Sequence, residues 1–190
     1  MIIHDPTKIS RPAAKSSALV EFVDLMPTVV QIALGQKTPL CPPDASKVKL
    51  CTEGHDLSPI MADPTGTKDV RKAAFMQYAA CMHDEGVSLG FGHDGCDADD
   101  EPMVMGYAMR TRRWRYIEWV KFNKGDNSTA PAPDWTEVVG TELYDHGIVD
   151  SVENVAESVN AVADPQFKAT VAQLSKQLRA GWRKERWELQ

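Results

Sequence analysis

The sequence contains no apolar run that approaches the roughly 20 residues of a membrane-spanning helix. Its opening residues, MIIHDPTKISRP, have neither the basic start nor the long apolar core of a secretory signal peptide. A P-loop and an H-E-x-x-H motif are also absent, so two common signatures of nucleotide-binding proteins and zinc proteases are missing. Basic residues are fewer than acidic ones, 21 against 27, and the net charge of -6 argues against broad attraction to a polyanion. Taken alone, these features predict a soluble, non-exported chain.

Cysteine is scarce, and the four cysteines fall into two spaced pairs. Cys41 and Cys51 flank one stretch, and Cys81 and Cys96 flank a longer one. Neither pair has the C-x-x-C spacing of a zinc site, whereas loop-closing disulfides suit both pairs; the alternative is four reduced thiols in a cytosolic protein. The triplet that begins at Asn127 is an N-glycosylation sequon, and together with paired cysteines it favours an exported protein.

The first part of the chain predicts one well-defined helix. Apolar residues recur at helical spacing from about Leu25 to Leu34. The N-cap, the first-turn proline and the C-cap of this helix would be Asp24, Pro27 and Gly35. Residues 1–4 predict a short strand, and residues 36–72 predict a long irregular connection with a short helix near residues 57–61.

The rest of the chain predicts a small antiparallel sheet. Residues 104–122 alternate with period two on both sides of a polar Thr-Arg-Arg turn, which is the pattern of a β-hairpin. Further strands are predicted at residues 73–78 and 137–145. A terminal helix capped by Asp164 carries apolar residues at helical spacing. These elements predict an α+β fold, a small antiparallel sheet with a packed C-terminal helix.

Two segments contain residue types that could catalyse a reaction or bind a ligand. Residues 79–103 predict a long loop rich in His, Asp and Glu, but their order does not follow the calcium-loop pattern. A nucleophile pair of Cys81 and His83 would point to opposite faces of an extended strand, so a flexible acidic loop is favoured. The arginines and aromatic residues of the hairpin could bind an anion, yet acidic residues surround them. We therefore interpret the hairpin as structural.

Six stretches occur in an order and spacing typical of one enzyme family. They are Val23-Asp24-Leu25-Met26-Pro27-Thr28 with Gly35, Cys41 with Leu50-Cys51-Thr52-Glu53-Gly54, Gln77-Tyr78, the hairpin strands MGYAMRT and RYIEWV, Glu142-Leu143-Tyr144-Asp145 with Glu153-Asn154, and the terminal LSKQLRAGWR. Together they resemble the C-terminal portion of iduronate-2-sulfatase-like type I sulfatases, within the alkaline-phosphatase-like superfamily. The resemblance extends over nearly the whole chain.

The resemblance implies how the chain is divided. Residues 1–35 would be the last strand and helix of the large sulfatase domain, residues 36–72 a disulfide-closed connection, and residues 73–190 the C-terminal subdomain. The subdomain would pack on the catalytic domain, its missing partner, and form one wall of the cleft for a sulfated glycosaminoglycan. Gln77 and Tyr78 are the candidates for that wall. In the family, Pro-Arg follows these two residues, whereas this chain has Ala-Ala at positions 79 and 80. The resemblance therefore does not specify the substrate sugar.

The resemblance also implies what this chain lacks. In the family, a cysteine of a C-x-P-S-R motif becomes formylglycine and aspartates hold calcium, both in the N-terminal part. No cysteine here is followed by x-P-S-R. We therefore expect this chain to bind no cofactor and to be inactive alone, while calcium and formylglycine belong to the full-length enzyme. That enzyme would be a lysosomal or secreted glycoprotein that hydrolyses sulfuric esters in glycosaminoglycan degradation.

Two other functions stay open. The chain could be a stand-alone module that binds sulfated glycans through Arg110 or Arg115, or a small cytosolic enzyme that uses residues 79–103 and free thiols with a metal. Neither a nucleic-acid nor a membrane partner is expected. In the sulfatase interpretation, some hairpin arginines would pair with acidic groups of the absent domain.

Overall fold

The computed structural model describes residues 1–4, 14–66, 70–83, 86–88, 103–125, 128–147, 157–181 and 183. The chain divides into two compact units, residues 1–74 with 183–190 and residues 75–182. None of the described helices combines the length and apolar character needed to cross a membrane.

The first unit is built around helix α1, Leu25–Leu34, and the short helix α2, Ser58–Ala62, both as predicted. A single 3₁₀ turn, Phe22–Asp24, leads into α1. Gly35 ends α1 in the left-handed region, at φ 64°, and its amide donates to the carbonyl oxygen of Gln31 at 3.0 Å. Residues 1–4 form no strand with the described part of the chain, so their assignment to a strand of the large sulfatase domain stays a prediction.

Asp24 does not cap α1 with its side chain, contrary to the prediction. Its fully buried carboxylate accepts hydrogen bonds from the amides of Glu21 and His55, at 2.7 and 2.8 Å. It also forms an ion pair with the buried guanidinium of Arg71, which pairs with Glu21 at 2.6 Å as well. A carboxylate without solvent needs a counter-charge and several donors, and these contacts supply both. We call these residues the Asp24 hub.

Thr28 and Gly54 hold a distant loop against the start of α1. The buried Thr28 hydroxyl donates to the carbonyl oxygen of Asp24 at 2.6 Å and accepts from the amide of Leu57 at 2.9 Å. A Cβ on Gly54 would lie 2.0 Å from the carbonyl oxygen of Val23, so glycine is required by close backbone approach. Residues 23–28 and residues 51–54, two of the stretches that resemble the sulfatase family, therefore contact each other.

The second unit is a sheet in the order β2-β1-β3-β4-β5. Its strands are β1 Ala74–His83, β2 Gly86–Ser88, β3 Met103–Arg110, β4 Trp114–Asn123 and β5 Ala132–Asp145. The predicted hairpin is confirmed as β3 and β4, which run antiparallel with Arg110 opposite Arg115. Strand β5 runs antiparallel to β4, with Tyr144 opposite Arg115.

Two boundaries differ from the sequence-based expectation. Strand β1 continues to His83 and pairs with β2, so the predicted loop of residues 79–103 begins as a hairpin. Backbone pairing outweighs the polar composition of this segment. Strand β5 begins at Ala132 because its first residues pair with the end of β4 beyond a β-bulge.

Helix α3, Lys168–Ala180, packs against β3 and β4. Asp164 accepts from the amide of Gln166 at 2.9 Å, which confirms it as a cap, although it caps the 3₁₀ turn that precedes α3. Beneath α3 lies Glu118, which is 1% exposed and accepts from Tyr116 and Arg179, both at 2.9 Å. The sheet with its packed C-terminal helix confirms the predicted α+β class.

Candidate functional site

Gln77 and Tyr78 both lie in β1 and are exposed. Successive residues of a strand point to opposite faces of a sheet, so the two side chains do not act together on one surface. Tyr78 shares its face with Met76, two residues earlier. The Sδ atom of Met76 lies 3.8 Å from Nη2 of Arg115. The structure therefore places Tyr78, but not Gln77, on the same face as an arginine of β4.

We call this surface, with Met76, Arg110, Arg115, Tyr144 and Glu157, the Arg115 face. Arg110 and Arg115 lie opposite each other on β3 and β4, and Tyr144 lies opposite Arg115 on β5. Directly opposed residues of antiparallel strands share a face. Burial lowers the pKa of the Arg110 guanidinium, the charge of Glu157 opposes that shift, and the nearby Arg115 adds to it.

Glu157 neutralises part of this positive charge. Its carboxylate accepts from Arg115 and lies 2.8 Å from Nε2 of His146. Glu157 has a φ of 51°. All other described residues except glycines have a negative φ. Sequence reasoning did not identify Glu157 or His146, since neither belongs to a regular element whose period could place it beside Arg115.

A second polar group borders the first on β4 and β5. Glu142 accepts from Nε1 of Trp119 at 2.6 Å and from the hydroxyl of Tyr144. Burial, and then the hydrogen bond to Glu142, raise the pKa of Tyr144 to about 12. The phenol therefore stays neutral over the physiological range and acts here as a hydrogen-bond donor rather than a base.

The arginines of the hairpin are engaged within the chain. Arg115 pairs with Glu157, and Arg113 makes two hydrogen bonds to Asp145, at 2.9 and 2.7 Å. Arg110 donates to the backbone carbonyl oxygens that follow it in the turn. Arg113 and Arg115 thus each have a carboxylate partner among the described residues, and the pairing of hairpin arginines with an absent domain stays a prediction.

The cysteine predictions have separate outcomes. Cys41 and Cys51 form a disulfide, with an S–S distance of 2.02 Å, as predicted. The side chains of Cys81 and His83 lie outside the described part of the structure, as do Cys96 and Asn127, so the second disulfide, the nucleophile pair and the sequon stay predictions.

The described residues do not fit the metal or the modified cysteine that the family implies. Within these ranges, no three His, Cys, Asp or Glu side chains lie together in a way that could hold a metal ion. Cys41 and Cys51 are bonded to each other, and neither precedes the x-P-S-R sequence. We therefore assign no catalytic step to this part of the chain.

One motif was missed in the sequence. Residues 86–90, GVSLG, match the G-x-S-x-G pattern of the α/β-hydrolases. In that fold the serine stands on a sharp turn from a strand into a helix. Here Gly86–Ser88 is an edge strand that pairs antiparallel with β1. The motif therefore stands in the wrong structural context for a nucleophile.

Comparison with known proteins relates the chain to a sulfatase. No protein-family model matches the sequence. Iduronate 2-sulfatase of Homo sapiens is 30% identical over 145 residues, which cover 73% of this chain and 25% of that protein. The chain thus spans about a quarter of the length of this curated relative. A phosphonate monoester hydrolase from Silicibacter pomeroyi is 21% identical, with a TM-score of 0.48 over 88% of this chain and 26% of that one.

Proposed function

Because the chain is a homologue of a sulfatase over most of its length, we propose that it is the C-terminal part of an enzyme that hydrolyses sulfate esters of glycosaminoglycans. The observation that carries the proposal is the 30% identity to iduronate 2-sulfatase over 145 residues. Since the chain spans only a quarter of that relative, the catalytic groups would belong to the rest of the enzyme. Formylglycine and calcium would be held there.

In this proposal the second unit forms one wall of the substrate cleft. Tyr78 is the better candidate for that wall, because it is exposed and shares a face with Arg115. A tyrosine offers a sugar both an apolar ring and a hydroxyl group. Gln77 lies on the opposite face and supports the wall less directly. A disulfide such as Cys41–Cys51 is typical of lysosomal and secreted enzymes. An enzyme exported in this way would also be exposed to glycosylation at Asn127.

Sequencing the transcript upstream of Met1 and assaying its full product tests the proposal. The expected result is a continuous reading frame that encodes a C-x-P-S-R motif, with sulfatase activity in the product. A transcript whose reading frame encodes no such motif would overturn the proposal.

The cleft wall has its own test in that full-length enzyme. Tyr78→Ala should raise the KM for a sulfated oligosaccharide roughly tenfold, because a lost sugar contact is worth about that much. The KM for a small aryl sulfate, which does not reach the wall, should stay unchanged. Val139→Ala is the matched control, since Val139 lies on β5 and is 41% exposed against 43% for Tyr78. Equal KM values for the two variants would contradict the assignment of Tyr78.

The alternative of a stand-alone module that binds sulfated glycans has less support. Such a module needs arginine groups directed at the ligand, and both Arg110 and Arg115 are engaged within the chain. Salt-sensitive binding of heparan sulfate that is lost in Arg110→Ala would favour this alternative over the sulfatase proposal.

A further inference from the structure

The indole ring of Trp119 lies across the centre of the sheet. Trp119 stands opposite Gly106 of β3 and Gly140 of β5. A Cβ on Gly106 would lie 2.7 Å from the six-membered part of the ring, and a Cβ on Gly140 would lie 3.5 Å from its five-membered part. The ring therefore extends over both glycines, and a side chain at position 106 would collide with it.

Hydrogen bonds hold the ring in this orientation. Nε1 of Trp119 donates to the carboxylate of Glu142 at 2.6 Å, and the hydroxyl of Tyr144 donates to the other oxygen of that carboxylate. An ionised carboxylate has about four acceptor positions, so Glu142 can accept further hydrogen bonds. A flat aromatic ring with a fixed orientation and an acceptor at its edge is preorganised for a ligand.

One side of the ring faces away from the sheet. The inner side lies on the two glycines and Trp119 is half-buried, so its accessible surface belongs to the outer side. Helix α3 does not cover this side, because its Arg179 contacts Glu118, the preceding residue of β4, which points to the opposite face. The pairing of β4 with β5 is also irregular directly after Trp119, and such bulges are frequent beside binding sites.

A cation stands beside the ring on the same face. Lys121 follows Trp119 by two residues on β4, which is about 7 Å along the strand. The ammonium group of Lys121 lies 3.2 Å from the carboxylate of Glu137, and both side chains are exposed. Exposed ion pairs contribute little to stability, so an anionic ligand can displace Glu137. The ring and the cation thus fit a ligand with a flat apolar face and an anionic substituent.

A sulfated sugar unit has these properties. The C–H groups of a pyranose ring form a flat apolar face, its hydroxyl groups donate hydrogen bonds, and its sulfate group is anionic. We propose that one sugar ring of the glycan stacks on Trp119, that Glu142 accepts from its hydroxyl groups and that Lys121 binds its sulfate group. We call these three residues the Trp119 platform. The inference rests on the proposed function, to which it adds a sugar subsite on β4 and β5.

Equilibrium binding to this 190-residue chain tests the inference. Fluorescence anisotropy follows the binding of a labelled heparan sulfate hexasaccharide, and thermal unfolding shows whether each variant is folded. Trp119→Leu should raise the Kd at least about tenfold, because leucine offers a sugar no flat ring and stacking on one aromatic ring is worth about that much. Trp114→Leu is the matched control and should leave the Kd unchanged. Trp114 is also a half-buried tryptophan of β4, but it lies on the opposite face, against Phe167.

Two exposed positions give a second readout if Trp119→Leu does not fold. Substitutions of exposed residues such as Lys121 and Glu137 rarely affect folding. Lys121→Gln should raise the Kd about threefold and make it less dependent on salt, because one ionic contact with the ligand is lost. Glu137→Gln removes the competing carboxylate, so it should lower the Kd. The same change of Kd in both variants would contradict the role of Lys121.

The outcomes separate the Trp119 platform from the proposed function. Undetectable binding, or equal Kd values for folded Trp119→Leu and Trp114→Leu, would overturn the platform alone, because the proposed function depends on the reading frame and activity of the full-length product. Loss of binding in Arg110→Ala without an effect of Trp119→Leu would indicate the stand-alone module and would also overturn the platform. A full-length product without sulfatase activity would overturn the proposed function.

Discussion

The Asp24 hub leads to a prediction with a large and defined effect. Asp24→Asn keeps the size of the side chain but removes the charge that neutralises Arg71. Asp24 is fully buried and Arg71 is 5% exposed, so water cannot replace the lost partner. The amide group of asparagine also replaces one of the two acceptor oxygens with a donor, which would face the amide of Glu21 or of His55.

The expected loss of stability is about 3–5 kcal/mol, which is the cost of leaving one member of a buried ion pair without its partner. Glu21 retains its contact with Arg71 at 2.6 Å, so the lower end of this range is favoured. For a chain of this length each kcal/mol lowers the Tm by roughly 2–4 °C. Asp24→Asn should therefore lower the Tm by about 6–12 °C.

Urea unfolding measures the global effect, and hydrogen exchange measures the local one. The amides of Glu21 and His55 should exchange much faster in Asp24→Asn, since both donate to the missing carboxylate. Asp44→Asn is the control, because Asp44 is an exposed acid of the same unit whose turn asparagine can also form. A loss below about 1 kcal/mol in Asp24→Asn, with both amides still protected, would refute the reasoning.

Two further predictions concern the sheet. Gly106→Ala should lower the free energy of unfolding in urea by about 1–3 kcal/mol, because its Cβ would lie 2.7 Å from the ring of Trp119. Gly140→Ala is the control and should lower it less, because its Cβ would lie 3.5 Å from the same ring. Equal losses in the two variants would contradict this prediction. The Arg113 guanidinium holds the pKa of Asp145 below its ordinary value, so their pairing stabilises the fold above about pH 3.9 and is lost as the pH falls through the lower folded-state pKa. The stability difference between the unsubstituted chain and Asp145→Asn should shrink in acid, and a constant difference from pH 7 to 2 would contradict the pairing.

Local sequence signals predicted the elements that local physics determines. Helix α1 was predicted at both ends, because Pro27 fits a first turn and Gly35 accepts the left-handed conformation that ends a helix. The hairpin of β3 and β4 was predicted because period two places alternate residues on opposite faces. The Cys41–Cys51 disulfide was predicted from spacing within one connection.

The errors concern interactions between residues distant in sequence. The local sequence around Asp24 predicts a helix cap. The residue that neutralises Asp24 is Arg71, which lies 47 positions later in the sequence. Glu157 lies 42 positions from Arg115, in a segment without a helical or strand period. No local pattern encodes which carboxylate meets which guanidinium, because that choice depends on how the elements pack.

The polar contacts at the start of α1 and the apolar residues of this helix have different physical roles. Apolar packing is strong but not directional, so apolar contacts alone would allow α1 to slide or rotate within its unit. Hydrogen bonds and ion pairs demand defined geometry, and the Asp24 hub and Thr28 impose that geometry on the first turn of the helix. A buried charge contributes little net stability, yet it disfavours every arrangement in which it is unpaired. The Asp24 hub and Thr28 therefore fix how the first turn of α1 meets the loop that contains His55 and Leu57, a choice that apolar packing alone would leave open.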